Sequence, residues 1–122
     1  MNNRKRIYVA GPYSCDNHCK PLGVDLEAMR FGIRCCVDLI LAGYAPFCPW
    51  LDFMFAFVPD GEKMERKDYL EYSLSWIEAC EAMIVIELRK SSFGTKAEIE
   101  YAQELGIPIY YGLNNFYKGF KK

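Results

Sequence analysis

Along this chain short apolar runs alternate with longer stretches in which apolar residues return every three or four positions. Residues 7–10 form a β-branched and aromatic run that stops at Gly11-Pro12, the length and punctuation of a buried strand. Over 25–42 the residues Leu26, Met29, Ile33, Cys36, Val37, Ile40 and Leu41 share one face of a helical repeat that Gly43 closes, which predicts an amphipathic helix. The run 44–49 predicts a second strand ending near Cys48, followed by an aromatic stretch, 50–57, and a turn at Pro59-Asp60-Gly61. Over 63–80 Tyr69, Leu70, Ser73, Ile77 and Cys80 line one side of a second helix, and 82–86 is a continuous apolar strand. Polar residues 89–93 break that run. A third helix over 95–105 ends at Gly106, 107–111 forms a last strand, and 114–122 reads as a polar tail with aromatic and basic anchors.

Strand, helix, strand, helix, strand, helix, strand in that order requires parallel strands joined by right-handed crossovers, with helices on both faces. The expected fold is a single small α/β domain over 1–122, a doubly wound parallel sheet of the Rossmann-like or flavodoxin-like kind. With 122 residues, 52 % hydrophobic and 16 % aromatic, the chain has enough apolar side chains for a core and falls outside the disordered class. Fifteen Lys and Arg against sixteen Asp and Glu leave a net charge of −1, so no overall field recruits a nucleic-acid polymer or an anionic membrane. No apolar run reaches spanning length, and the polar, basic residues 1–6 lead straight into the first strand, which reads as an unexported, cytoplasmic protein. The cysteines, Cys15, Cys19, Cys35, Cys36, Cys48 and Cys80, lack the spacing of a secreted framework and fit reduced thiols. Cys15, His18 and Cys19 offer soft ligands without the full set that structural zinc wants, so no metal is expected.

Ligands of such sheets bind beyond the carboxyl ends of the strands, which directs attention to 11–17, 49–57 and 87–98. With a helix starting at 95, Glu98 falls in its first turn, where the helix dipole favours the ionised form that a nucleophile needs. The same placement also stabilises helices that carry no chemistry. Ser91-Ser92, ahead of Gly94, supply hydroxyl and backbone N–H groups that suit a phosphate, or else a plain polar turn.

Three stretches carry a resemblance. Tyr8-Val9-Ala10-Gly11-Pro12-Tyr13-Ser14, Trp76-Ile77 ahead of Ala82-Met83-Ile84-Val85-Ile86, and Gly94-Thr95-Lys96-Ala97-Glu98-Ile99 resemble the nucleoside 2-deoxyribosyltransferase superfamily. Ala102 and Gly106-Ile107-Pro108 extend the similarity, which runs in order across nearly the whole chain. Members of that superfamily include 2'-deoxynucleoside 5'-phosphate N-hydrolases and CMP N-glycosidases. The resemblance implies cleavage of an N-glycosidic bond by a carboxylate that attacks the anomeric carbon, the glycosyl group then passing to water or to another base.

Glu98 matches the carboxylate of the family's Gly-x-x-x-Glu pattern. Tyr13 matches an aromatic residue beside the sugar, where a phenol hydrogen-bonds the nucleophile; the other reading is a tyrosine that covers the sheet end. Ser92 is similar in position to a phosphate-contacting serine, and Gly11, Ser14, Asn17 and Gly94 complete the loops expected around phosphate or ribose. One departure stands out: relatives carry an aspartate three residues before the tryptophan, to address the base or leaving group, and this chain has Ser73. Asp68 and Asp52 are the local carboxylates that would substitute, or else solvated charges. Trp50, Phe53 and Phe55 suit stacking on a base or burial against a partner subunit. Small members of the superfamily associate, so a homodimer or higher homo-oligomer is expected, with no cofactor. The expected activity is an N-glycosidase acting on a nucleoside or deoxynucleoside 5'-monophosphate. The alternatives are base exchange by a deoxyribosyltransferase, and a nucleotide-binding protein without catalysis, which the serine at position 73 motivates.

Overall fold

The structure, a computed structural model, describes residues 3–11, 26–86 and 93–121. Strands β1 (Arg6–Ala10), β2 (Ala45–Phe47), β3 (Ala82–Val85) and β4 (Ile109–Tyr111) form one all-parallel sheet in the order β2-β1-β3-β4. The helices among the described residues are α1 (Leu26–Leu41), α2 (Arg66–Ile77), α3 (Phe93–Leu105) and α4 (Leu113–Gly119). The alternating pleat of the central strands divides the core in two. Ile7, Val9, Ala82 and Ile84 meet Met29, Cys36 and Leu39 of α1 and Phe116 of α4. Tyr8, Ala10, Met83 and Val85 meet Ile77 of α2 and Ala102 of α3. Helices therefore cover both faces, and the doubly wound α/β fold expected from the element order is the one observed. Burial on both sides explains why β1 and β3 read as unbroken apolar runs, since each large side chain buried there contributes about 1.5–3 kcal/mol.

The elements depart from the sequence reading in five places. Met29, Cys35, Cys36 and Leu39 form the inward face of α1, while Ile33, Val37, Ile40 and Leu41, expected on the buried stripe, face outward. The helix is apolar on two sides, and periodicity alone merged them. The aromatic stretch after β2 winds into 3₁₀ turns over Pro49–Phe57. Helix α2 starts at Arg66, after a separate 3₁₀ turn at Gly61–Lys63, and α3 starts at Phe93, two residues before the expected 95. The expected polar tail is helix α4: Leu113, Phe116 and Phe120 recur at helical spacing, and Phe116 is fully buried against Tyr44, Tyr110 and Phe120 at ring distances of 5.0, 5.6 and 5.1 Å. Gly43 has φ of 97°, which lets the chain leave α1 and enter β2 within a few residues. None of the described helices is long and apolar enough to cross a membrane.

Candidate functional site

Among the described residues the buried polar and charged side chains are Asp52, Ser73, Thr95 and Glu98. The strand pleat that sends Ile7 and Val9 toward α1 turns Tyr8 toward α2 and α3, where its ring is fully buried and its hydroxyl needs a partner. That hydroxyl donates to Glu98 Oε2 at 2.6 Å. Thr95, Glu98 and Ala102 recur at helical spacing on the buried side of α3, which carries Glu98 to the sheet. Ser73 and Ile77 form the buried side of α2, and the Ser73 hydroxyl lies within hydrogen-bonding reach of the Tyr8 phenol and the Glu98 carboxyl. Asp52, brought in by the 3₁₀ segment after β2, lies close enough for its charge to act on Glu98 and on Tyr8. Four elements thus place two carboxyl groups, a phenol and a hydroxyl in one buried cluster.

Burial is the largest influence on Glu98 and pushes its carboxyl from the ordinary 4.5 up to about 7. The hydrogen bond from Tyr8 and the one from Ser73 pull the other way, and the charge of Asp52 adds to the upward push. The Tyr8 phenol is raised well above its ordinary value by burial first and by Glu98 second, so it stays protonated and remains a donor. At neutral pH Glu98 therefore divides between its acid and its carboxylate, the condition in which a side chain serves as nucleophile or as proton carrier.

An aromatic row leads from this cluster toward the surface. Tyr8 stacks on Phe47 at 5.6 Å, Phe47 stacks on Trp76 at 5.0 Å and tilts against Tyr72 at 6.2 Å. Tyr72 meets Phe55 edge-on at 5.5 Å, and Phe55 stacks on Tyr69 at 6.4 Å. Tyr69 in turn feels the charge of Asp52. The row therefore begins and ends beside the same buried cluster.

Of the residues expected at the site, Glu98, Ser73 and Asp52 come together. Glu98 does so from the second turn of α3 rather than the first, because the helix begins at Phe93; burial, not the dipole, dominates its acidity, and its pKa rises where the first-turn placement implied stabilised charge. Asp68 instead caps α2, its carboxylate accepting the backbone N–H of Glu65 at 2.7 Å. Five residues separate it from Ser73, about 7.5 Å along the helix axis and about 140° around it. Gly11 lies buried just past β1 and Gly94 in the first turn of α3. Tyr13, Ser14, Asn17 and Ser92 lie outside the described residues, as do Cys15, His18 and Cys19. Within the described residues no three His, Cys, Asp or Glu side chains converge on a metal-sized site. Sequence reasoning missed Tyr8 and Thr95. The signal for Tyr8 was a phenol inside a strand buried on both faces, where a hydroxyl has to find a polar partner.

Fold and cluster together define a small parallel α/β protein with a phenol-held carboxyl group between its central strand and α3. The chain belongs to the family described as Domain of unknown function (DUF7768), whose model matches residues 5–112. That span contains the whole sheet and Tyr8, Asp52, Ser73 and Glu98, and it ends where α4 begins. No curated protein matches the chain in sequence.

The raised Glu98 pKa has a thermodynamic consequence. The folded state holds this proton more tightly than the unfolded chain, so the stability it contributes is complete below about pH 4.5 and is lost as pH rises through about 7. Glu98→Gln removes the cost of the buried charge. It is expected to stabilise the protein at pH 8 by up to about 3 kcal/mol and to change it little at pH 5. Urea unfolding at the two pH values checks this, and an equal effect at both would contradict the buried, proton-holding carboxyl.

Proposed function

We propose that the protein is an N-glycosidase that cleaves the base–sugar bond of a nucleoside or deoxynucleoside 5'-monophosphate, with Glu98 as nucleophile. The observation that carries this reading is the buried hydrogen bond from Tyr8 to a Glu98 carboxyl poised near pH 7. A carboxylate so held is oriented by the phenol, shielded from water and able to form a bond to an anomeric carbon. The resemblance of the Gly94 to Ile99 stretch to the nucleoside 2-deoxyribosyltransferase superfamily supports the reaction class. Tyr8, whose hydroxyl contacts Glu98 directly, acts as a positioning phenol, and the role the resemblance implies for Tyr13 stands beside it. The 5'-phosphate is assigned to Ser92 from sequence alone. Hydrolysis is favoured over base exchange because a phosphate-binding serine fits a nucleotide substrate. The cysteine spacing, which lacks the pattern of a secreted framework, supports a cytoplasmic setting.

The test is a panel of nucleosides and their 5'-monophosphates, incubated with and without a second free base and analysed chromatographically for released base. Phosphate-dependent release by the wild type, lowered about 1,000-fold or more in Glu98→Ala, is the expected result. Release that needs an added base would mean a transferase. Nucleotide binding without any release would mean a protein that only binds.

The reading includes pairing of two copies through α1. Ile33, Val37, Ile40 and Leu41 make an exposed apolar stripe on its outer side, with Arg34 and Asp38 one turn apart beside it. Antiparallel helices related by a two-fold axis would bring Arg34 of each copy to Asp38 of the other. Sedimentation of the wild type is expected to give a dimer and that of Val37→Lys a monomer. A wild-type monomer at tens of micromolar would refute the pairing.

A further inference from the structure

The cysteines take no part in the chemistry above, and the fold sorts those among the described residues by place. Cys80 is buried with α2 and α3 on one face of the sheet, while Cys35, Cys36 and Cys48 lie on the face that α1 covers. Cys35 and Cys36 adjoin on a helix, where successive side chains diverge by about 100°, so a bond between them would break the helix. Cys35 lies close enough to Tyr117 of α4 to act on it. The Cys36 thiol lies instead within hydrogen-bonding reach of Cys48, the residue between the end of β2 and the 3₁₀ turns over Pro49–Phe57. Both side chains are thiols here, and Cys48 packs against the buried cluster that contains Cys36. Among the described residues no third His, Cys, Asp or Glu completes a metal-sized group with them. The chemistry open to the two sulfurs is therefore with each other. Their exposure sets an order for it: Cys36 is 7 % exposed, whereas Cys48 is half-buried and reaches solvent.

We propose that Cys36 and Cys48 are a reversible redox pair, whose oxidation closes a disulfide that ties α1 to the start of the segment carrying Asp52. The oxidant is a small disulfide such as oxidised glutathione. In the first step the Cys48 thiol gives up its proton and its sulfur attacks one sulfur of the oxidant, whose S–S bond breaks with its pair going to the departing thiolate. In the second, the Cys36 thiol gives up its proton, its sulfur bonds to Cys48 Sγ, and the bond from Cys48 to glutathione breaks with its pair leaving on the second thiolate. The two protons end on the two glutathione thiols, so the protein loses two hydrogens with their electrons and the oxidant gains them. The contact with Cys48 first, and burial second, push the Cys36 thiol upward, so Cys36 resolves the mixed disulfide rather than starting the exchange. Pro49, buried and fixed in φ, follows Cys48 directly and passes the restraint into the 3₁₀ turns. In a reducing compartment such a bond is transient and serves as a sensor. Nothing in this pairing depends on the N-glycosidase activity.

The experiment equilibrates the native wild type with oxidised glutathione, blocks the remaining thiols and digests the protein with trypsin and chymotrypsin. Cleavage at Leu39 and Tyr44 puts Cys36 and Cys48 on separate peptides. Mass spectrometry is expected to find these two peptides joined, lighter by two hydrogens than their sum, and parted by dithiothreitol. Cys35→Ser is expected to keep the link and Cys48→Ser to lose it. Cys36 and Cys48 both recovered blocked, or Cys48 recovered still carrying glutathione, would overturn the pairing. So would a link from either sulfur to Cys15, Cys19 or Cys80. The mapping on the wild type needs no variant to fold. The restraint is read by amide hydrogen exchange over 49–57, expected to slow about three-fold or more in the oxidised wild type and not in Cys48→Ser treated alike. Equal exchange in the oxidised and reduced wild type would overturn the tie between α1 and that segment.

Discussion

A carboxyl group pressed between a central parallel strand and a helix has to be hydrogen-bonded, or the fold loses several kcal/mol to an unsatisfied buried polar group. The Tyr8 phenol meets that requirement for Glu98, and much of the architecture serves the contact. Placing β1 between β2 and β3 buries Tyr8 on both sides of the strand direction. Starting α3 at Phe93 turns Thr95, Glu98 and Ala102 to the sheet. Seating α2 with Ser73 and Ile77 inward adds a second donor to the same carboxyl. The fold thus holds one ionisable group where water would otherwise solvate it, and compensates with the oriented Tyr8 hydrogen bond and the nearby Ser73 hydroxyl.

The proposed chemistry draws on how incomplete that compensation is. Two donors lower the pKa of Glu98, yet burial and the nearby charge of Asp52 outweigh them, which leaves the carboxyl near neutrality. A fully solvated glutamate would be ionised but unfocused, whereas one sealed in apolar surroundings would stay protonated and unreactive. Glu98 lies between these limits, and that intermediate state fits a group that forms and releases a bond to carbon in successive steps.

The order of the elements and the parallel sheet were legible in the chain because β1 and β3 are buried on both faces and leave unbroken apolar runs between helical stretches. Glu98, Ser73 and Asp52 were legible as candidates because Glu98 lies in a stretch with a resemblance, Ser73 stands where the resembled relatives carry an aspartate, and Asp52 follows a strand's carboxyl end. The contact between Tyr8 and Glu98 was not, since nothing local in a strand of apolar neighbours announces a partner 90 positions away. Asp68 was indistinguishable from a site carboxylate until the start of α2 fixed it as a cap. The two-sided apolar character of α1 misled for a related reason: a helical repeat shows which residues share a face, and not which face the sheet covers. At α4, a few polar residues hid the recurrence of Leu113, Phe116 and Phe120 that docks the helix.

The central claim is that Glu98 is a buried carboxyl held by Tyr8 and poised near neutrality, and it can be read without any substrate. The most direct measurement is the carbon-13 chemical shift of the Glu98 carboxyl in protein labelled at glutamate, followed from pH 4 to 9 and assigned by its loss in Glu98→Gln. The account predicts a midpoint of about 7, moving upward by about one unit or more in Tyr8→Phe as the phenol's hydrogen bond is lost. A midpoint below 5 that Tyr8→Phe leaves in place would contradict it.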